Sequence, residues 1–279
     1  MTIADLLENI TNRFREGHLE QPQFEARQLL AEFFKKNLAW ILVSEQMIDV
    51  SEAAEIQRWV ERRLQGEPLA YLTGFKGFGK ARFRVGHGVL IPRPETEHVL
   101  EVALRRTLEK PQVKIADFGC GTGCIGLSFL LDRAGATLVA IDASAKAIEY
   151  TRKNAEELGV GDRCQTFQGR VQDWSGPAMD VIVSNPPYVA QDDPRVEAHV
   201  RKFEPAEALF SSGEGLDALK QWAGLAHRHL VEGGLYVCEF GAGQEISVEA
   251  IMKDAGFESL EFEKDYAGIM RVVSGMKPK

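Results

Sequence analysis

Apolar residues recur along this chain at two different spacings, and the change between them divides it. Over the first 73 residues the spacing is helical: Ile3, Leu6, Leu7, Ile10 and Phe14 share one face, with Thr2 and Asp5 placed as a capping pair. A second stripe, Phe24, Leu29, Leu30, Phe33 and Phe34, follows Pro22, and a third, Ile56, Val60 and Leu64, is capped by Ser51 and stops at Gly66 and Pro68. Residues 1–73 therefore read as a small helical bundle, in which no position suggests chemistry. Residues 74–90 read as a linking hairpin, because Gly77-Phe78-Gly79 sits between two alternating arms. From Val113 short apolar runs alternate with helical stretches, the signature of a parallel sheet covered on both faces. Strands are expected at 113–118, 137–141, 164–168, 179–184 and 235–240, with helices beginning near Thr122, Ser144 and Gly215. After Gly256, the runs Leu260 to Lys264 and Ile269 to Ser274 have the spacing of a closing hairpin around Asp265-Tyr266-Ala267-Gly268. The expected organisation is a bundle at 1–73, a hairpin at 74–90 and an α/β domain at 91–279.

Composition narrows the classes. A chain of 279 residues with 44% hydrophobic content can bury a core of ordinary size in one large or two modest domains. The acidic N-terminus MTIADLLENITNRF is unlike an export signal and no apolar run approaches a bilayer span, so a cytoplasmic location without membrane contact is expected. A net charge of -8 argues against a large nucleic-acid footprint, which needs a concentrated basic surface. The stretch FKGFGKARFR interleaves Lys76, Lys80, Arg82 and Arg84 with Phe75, Phe78 and Phe83, as a single-strand binder does, but a Gly-turned hairpin with one wet face is the favoured reading. Cys120, Cys124, Cys164 and Cys238 lack metal-ligand or disulfide spacing and read as reduced core residues. None of His18, His87, His98, His199, His227 and His229 has neighbours that suggest catalysis, and no metal site is expected.

Chemistry enters at Asp117-Phe118-Gly119-Cys120-Gly121-Thr122-Gly123, between the first strand of the sheet and its helix. Gly121, Gly123 and Gly126 satisfy G-x-G-x-x-G, and Asp142 ends the next strand, where a carboxylate can accept both hydroxyls of a ribose. Dinucleotide and S-adenosylmethionine enzymes share both features. Asp117 favours the second, because a carboxylate there would repel a pyrophosphate, whereas S-adenosylmethionine carries an ammonium and a sulfonium. The bland alternative makes the glycines an ordinary turn and Asp142 a helix cap. Trp174 is nearly balanced between a half-buried core aromatic and an adenine-stacking residue.

The second candidate is Val183 to Ala190, VSNPPYVA. Pro186 and Pro187 must end the apolar strand because neither donates a ladder hydrogen bond, which leaves Asn185 at a rigid tip. Ligands of open parallel sheets bind outside the carboxyl ends of the strands, so Asn185 faces the crevice of the glycine loop. An amide or planar amine nitrogen is a poor nucleophile because its lone pair is delocalised. Asn185 can offer a carbonyl oxygen to one N–H, the backbone carbonyl of Pro186 can take the other, and Tyr188 can stack on the flat group. The break builds a two-acceptor clamp for an NH2 group, although N-P-P can also simply end a strand.

Asn185-Pro186-Pro187-Tyr188 with Asp117 to Gly123 resembles the class I methyltransferases acting on planar nitrogen. Ile91-Pro92-Arg93-Pro94-Glu95-Thr96-Glu97, together with Glu67 to Gly74, Phe203-Glu204-Pro205, Gly215-Leu216 and Glu239-Phe240-Gly241, is similar to the release-factor glutamine methyltransferases, the PrmC/HemK family. The resemblance covers nearly the whole chain and is weakest over residues 1–65. It implies a Rossmann-like, mostly parallel seven-stranded sheet with a C-terminal antiparallel hairpin, plus the helical bundle as a substrate-recognition domain. It also implies N5-methylation of the glutamine in the Gly-Gly-Gln loop of bacterial peptide chain release factors, with no direct nucleic-acid partner. Cofactor binding would fall to Asp117, Gly119, Cys120, Gly121, Thr122, Gly123, Asp142, Trp174 and Asn185, and substrate binding and catalysis to Asn185, Pro186, Pro187 and Tyr188. Trp174 is the weakest of these, since a short loop separates it from Asn185. A ribosomal-protein glutamine methyltransferase, an amino-methyltransferase of nucleic-acid bases and a non-catalytic adaptor are the alternatives.

Overall fold

The computed structural model describes all 279 residues, in two compact units, Met1–Phe75 and Lys76–Lys279. The first is helical: α1 (Ile3–Glu16), α2 (Pro22–Phe34), α3 (Leu38–Val43), α4 (Val50–Leu64) and α5 (Leu69–Thr73). Thr2 and Asp5 form the expected capping box of α1, whose buried face is Ile3, Leu6, Ile10, Thr11 and Phe14. Two details differ from expectation. The cap of α4 is Asp49, whose carboxylate accepts the Glu52 N–H at 2.8 Å, and Ser51 lies inside the helix, donating its hydroxyl to that carboxylate. Phe24 is exposed, because α2 buries the stripe Ala26, Leu29 and Leu30, on the opposite side of the turn.

The second unit begins in the hairpin of β1 (Phe75–Phe78) and β2 (Ala81–Arg84). There follow α6 (Glu97–Arg106), β3 (Lys114–Phe118), α7 (Cys124–Asp132), β4 (Thr137–Asp142), α8 (Ala145–Glu157), β5 (Cys164–Gln168) and β6 (Met179–Ser184). The chain is completed by α9 (Ala198–Phe203), α10 (Ala206–Leu209), α11 (Asp217–His229), β7 (Leu230–Glu239), α12 (Glu245–Asp254), β8 (Glu258–Lys264) and β9 (Met270–Met276). The last seven strands form one sheet in the order β5-β4-β3-β6-β7-β9-β8, parallel except where β9 pairs antiparallel with β7 and β8.

Strand alternation explains the layers. Ile115, Val181, Val183, Leu235 and Val237 pack on one face with Val99, Leu127 and Ile148 of α6, α7 and α8. Ala116, Phe118, Ile182, Tyr236 and Cys238 pack on the other with Leu219, Ala223, Val248 and Met252 of α11 and α12. Burying each large aliphatic or aromatic side chain contributes about 1.5–3 kcal/mol, so both faces of the sheet hold it in place. β7 starts five positions earlier than its apolar run, because Val231-Glu232-Gly233-Gly234 continues the strand through a register shift against β6. Of the hairpin's basic residues, Lys80 of the turn is ion-paired with Asp132 and Arg84 of β2 with Glu157. No helix is long and apolar enough to cross a membrane.

The candidate active site

The sheet reverses its direction of growth beside β3, which pairs with β4 on one side and β6 on the other. Register then decides what meets there. Phe118 is opposite Ser184, so the glycine loop that follows Phe118 and the Asn185 tip that follows Ser184 leave the sheet side by side. Between them opens a cavity of about 550 Å³, lined among others by Gly119 to Thr122, Asp142, Thr96, Asn185 and Pro187. That volume suits one nucleoside-sized ligand and a reacting group.

The loop is held by its own backbone. The amides of Gly119 and Cys120 both donate to the Ile141 carbonyl, at 2.9 and 3.0 Å, and Gly121 donates to Asp142 Oδ2 at 2.9 Å. Thr151 Oγ1 donates to the Gly121 carbonyl and Asn154 Nδ2 to that of Thr122. Gly119 has φ +70°, and a Cβ there would stand 2.5 Å from the Trp222 ring. Gly121, at φ +56°, would point a Cβ into open space, so the bare backbone leaves room that a ligand can fill.

Two carboxylates flank the loop. Asp142 accepts from Gly121 with one oxygen and from the Ser144 N–H, 2.9 Å, with the other, yet burial outweighs both and raises its pKa. Each oxygen retains a lone pair toward the cavity. Asp117, 1% exposed, accepts the Gly126 N–H at 3.0 Å with Oδ2, while Oδ1 is buried without a partner. Burial pushes this carboxyl up to about 7, against the Gly126 bond and with help from Asp142. A pair of under-compensated carboxyls beside a glycine cradle fits a cationic ligand with a diol.

The strand tip is equally constrained. Ser184 Oγ and Tyr236 Oη are 2.8 Å apart in the core beneath it, and Asn185 Nδ2 donates to Thr96 Oγ1 at 3.0 Å. The Asn185 amide is therefore turned with Oδ1 as its remaining acceptor. Pro186 is buried, and the Tyr188 hydroxyl donates to Glu239 Oε1 at 2.8 Å. The strings either side of the mouth are clasped by Glu204, which accepts from Arg93 Nη2 at 2.5 Å and from the Ile91 N–H at 3.1 Å.

Most sequence candidates thus converge: Gly119, Cys120, Gly121, Thr122, Asp142, Asn185 and Pro187 line the cavity. Asp117, Gly123, Pro186 and Tyr188 do not line it: Gly123 caps α7, Asp117 is buried against the Gly126 N–H, Pro186 is buried, and the Tyr188 hydroxyl is held by Glu239. Trp174 is placed elsewhere. It lies in the core, 6% exposed, edge-on to Phe118 at 6.0 Å and against His229 at 4.6 Å, so the core-aromatic reading describes its position. The turn Val171–Asp173 brings Val171 and Gln172 to the cavity instead and sends the larger ring to the apolar layer. Sequence reasoning missed Thr96 and Trp222. The Ile91 to Glu97 string marked the first without showing its contact, and no spacing marks the second. No group of three or more His, Cys, Asp or Glu side chains is placed to hold a metal, and all four cysteines are free thiols.

A seven-stranded sheet of this order, with a glycine loop, an acidic second-strand end and an N-P-P-Y tip, defines a class I methyltransferase. Solved structures agree on the fold: the T. thermophilus 16S rRNA N2 G1207 methyltransferase, in complex with AdoMet and guanosine, gives a TM-score of 0.54 at 18% identity over 73% of this chain and 49% of its own. The ribosomal protein L11 methylase of Lactobacillus delbrueckii gives 0.53 at 16% identity over 71% and 86%. Residues 101–220 match the methyltransferase small domain and residues 5–74 the PrmC N-terminal domain. The release factor glutamine methyltransferase of Neisseria gonorrhoeae is 37% identical over 265 residues, 93% of this chain and 95% of its own length. That of Vibrio cholerae is 31% identical over 281 residues, 99% and 96%. The chain belongs to the release factor glutamine methyltransferase family.

Proposed function

We propose that the protein transfers a methyl group from S-adenosylmethionine to the side-chain amide nitrogen, N5, of the glutamine in the Gly-Gly-Gln loop of peptide chain release factors. The observation that carries this reading is the Asn185 amide. With one N–H of its NH2 donated to Thr96, the amide carries Oδ1 as its free acceptor, and an acceptor is what an incoming NH2 group requires.

S-adenosylmethionine, when bound, supplies an electrophilic methyl carbon and leaves as a neutral thioether. Asp142 would accept the ribose hydroxyls, and the acidic pair Asp142 and Asp117 would balance the ligand's positive charge. Asn185 Oδ1 and the Pro186 carbonyl would each take one N–H of the glutamine amide, which turns the nitrogen lone pair out of conjugation and along the carbon–sulfur axis. The nitrogen forms its bond to carbon as the carbon–sulfur bond breaks, and it loses a proton only once it has become positive. Asn185 needs no basic partner for this, since the proton can pass to water. The helical unit, which matches the PrmC N-terminal domain over residues 5–74, would hold the body of the release factor.

Mass spectrometry of a purified release factor incubated with the protein and labelled S-adenosylmethionine tests the reading. One labelled methyl on the Gly-Gly-Gln glutamine is expected. Label on nucleic acid or on a ribosomal protein, with none on the factor, would overturn it.

A further inference from the structure

Two side chains distant in sequence hold the polar ends of the clamp. Thr96, 2% exposed, takes the Asn185 Nδ2 proton at 3.0 Å from 89 positions away. Glu239, 0% exposed at the end of β7, takes the Tyr188 hydroxyl proton at 2.8 Å from 51 positions away. The same carboxylate adjoins the Thr96 hydroxyl, which lowers its pKa, and its Oε2 is buried without a hydrogen-bond partner. A hydroxyl hydrogen rotates freely about its C–O bond, so the Thr96 proton turns to the nearest strong acceptor.

Direction follows from charge. An ionised carboxylate accepts only: the Tyr188 hydroxyl donates to its Oε1, and its unpartnered Oε2 is the acceptor toward which the Thr96 proton can turn. With its proton spent in that direction, Thr96 Oγ1 offers Asn185 nothing but lone pairs. Asn185 must answer with its NH2, and its carbonyl oxygen is left for the substrate. Reversal of the Thr96 hydroxyl would reverse the amide and present the reacting nitrogen with another donor.

We propose that Thr96 and Glu239 are a positioning pair that sets which end of the Asn185 amide faces the substrate nitrogen. The proposal rests on the methyltransferase reading of the site and adds two residues that act through the clamp rather than on the substrate. It also gives the clamp an acid limit. Protonated Glu239 becomes a donor and frees the Thr96 proton to turn to Asn185 Oδ1. Burial raises the Glu239 carboxyl first of all, the Thr96 and Tyr188 hydroxyls and Arg271 of β9 lower it, and Glu95 raises it again; the buried thiols of Cys124 and Cys238 stand near and stay neutral.

The test uses the full chain, with single-turnover methylation of a release factor, calorimetric S-adenosylmethionine affinity and melting temperature measured for Thr96→Val, Thr96→Ser and Glu239→Gln. Thr96→Val keeps shape and removes the hydroxyl, and it should slow methyl transfer by roughly 10- to 100-fold with S-adenosylmethionine affinity within about twofold. Thr96→Ser should restore most of the rate. Glu239→Gln should be slow at all pH values and should lack the fall in rate with acidification that is expected of the wild type. Wild-type rates in Thr96→Val, or equal losses in Thr96→Val and Thr96→Ser, would overturn the pairing, as would an unaltered acid limb in Glu239→Gln. If Glu239→Gln fails to fold, the contrast between the valine and serine variants decides. A wild-type protein inactive on every release factor defeats the functional reading itself, a result distinct from an active wild type with an unaffected Thr96→Val.

Discussion

Asp142→Ala separates a ligand-binding carboxylate from a structural helix cap. The wild-type side chain accepts two backbone N–H groups, from Gly121 and Ser144, both at 2.9 Å. Taken alone, those bonds contribute about 1 kcal/mol each to the fold. Burial nevertheless raises the Asp142 pKa despite them, with Glu207 adding to the rise. A carboxyl whose folded pKa is raised contributes its stability while protonated and loses it as pH rises through that pKa. At neutral pH the ionised group therefore stands at a disadvantage in the ligand-free fold that offsets much of what its two bonds contribute. Removing it should change the ligand-free stability by no more than about 1 kcal/mol, a shift of about 2–4 °C for a unit of this size.

Binding should respond very differently. A ribose diol on this carboxylate makes two charge-assisted hydrogen bonds, whose loss costs about 1–3 kcal/mol in all, or roughly 5- to 150-fold in Kd. Asp142→Asn refines the test, because its NH2 end cannot accept from Gly121, Ser144 or a ribose hydroxyl, and a loss of about tenfold is expected. Isothermal calorimetry with S-adenosylmethionine and melting of the ligand-free protein give the two quantities separately. Unchanged affinity in Asp142→Ala refutes the ribose assignment. A large fall in melting temperature with a matching fall in affinity shows that Asp142 is a cap whose loss merely unravels the loop.

Asn185→Ala should lower kcat by about 100- to 1,000-fold in single-turnover assays while S-adenosylmethionine affinity changes little, and a near-wild-type rate would remove Asn185 from the clamp. Gly121→Ala puts a methyl group into the cavity from a backbone at φ +56°, so calorimetry should register a marked loss of cofactor affinity beside about 1–2 kcal/mol of lost stability. Asp117, held at about 7 by burial, should lose its proton when a cationic ligand binds, so that affinity rises with pH through neutrality in the wild type and less so in Asp117→Asn. The same raised pKa makes the ligand-free wild type lose stability as pH rises toward and through 7, a slope that melting curves should find reduced in Asp117→Asn. A fragment beginning at Phe75 should still bind S-adenosylmethionine but methylate an intact release factor with much reduced kcat/KM; full activity would mean that residues 1–74 do not recognise the substrate.

The fold was legible where a single local cause sets it. β5 and β6 occupy the expected residues because each is a short apolar or alternating run between turn residues, and Thr2 with Asp5 caps α1 because that motif closes within four residues. Legibility failed where two local causes compete. Asp49 and Ser51 are both good caps, and only the carboxylate reaching the Glu52 N–H decides between them. The early start of β7 rests on pairing with β6 across a register shift, a long-range bond that no window of sequence contains.

The same division runs through the site. Gly119, Gly121, Asp142 and Asn185 could be read because each lies at a strand end, and strand ends in a parallel sheet share one edge whatever the helices do. Thr96 could not be read as Asn185's partner, because its position depends on a short turn after Pro94 coming to rest over the tip of β6. Trp174 and Trp222 show how weak residue type is as a guide: both are tryptophans near the second apolar layer, yet one is sealed in it and the other borders the cavity. What distinguishes them is the path of the chain on either side. Strand ends declare where chemistry can occur, while the residues that orient it are found only when the helices and turns that carry them are placed. For this protein that second set is Thr96 and Glu239, and the amide they orient decides whether the clamp receives an NH2 group or repels it.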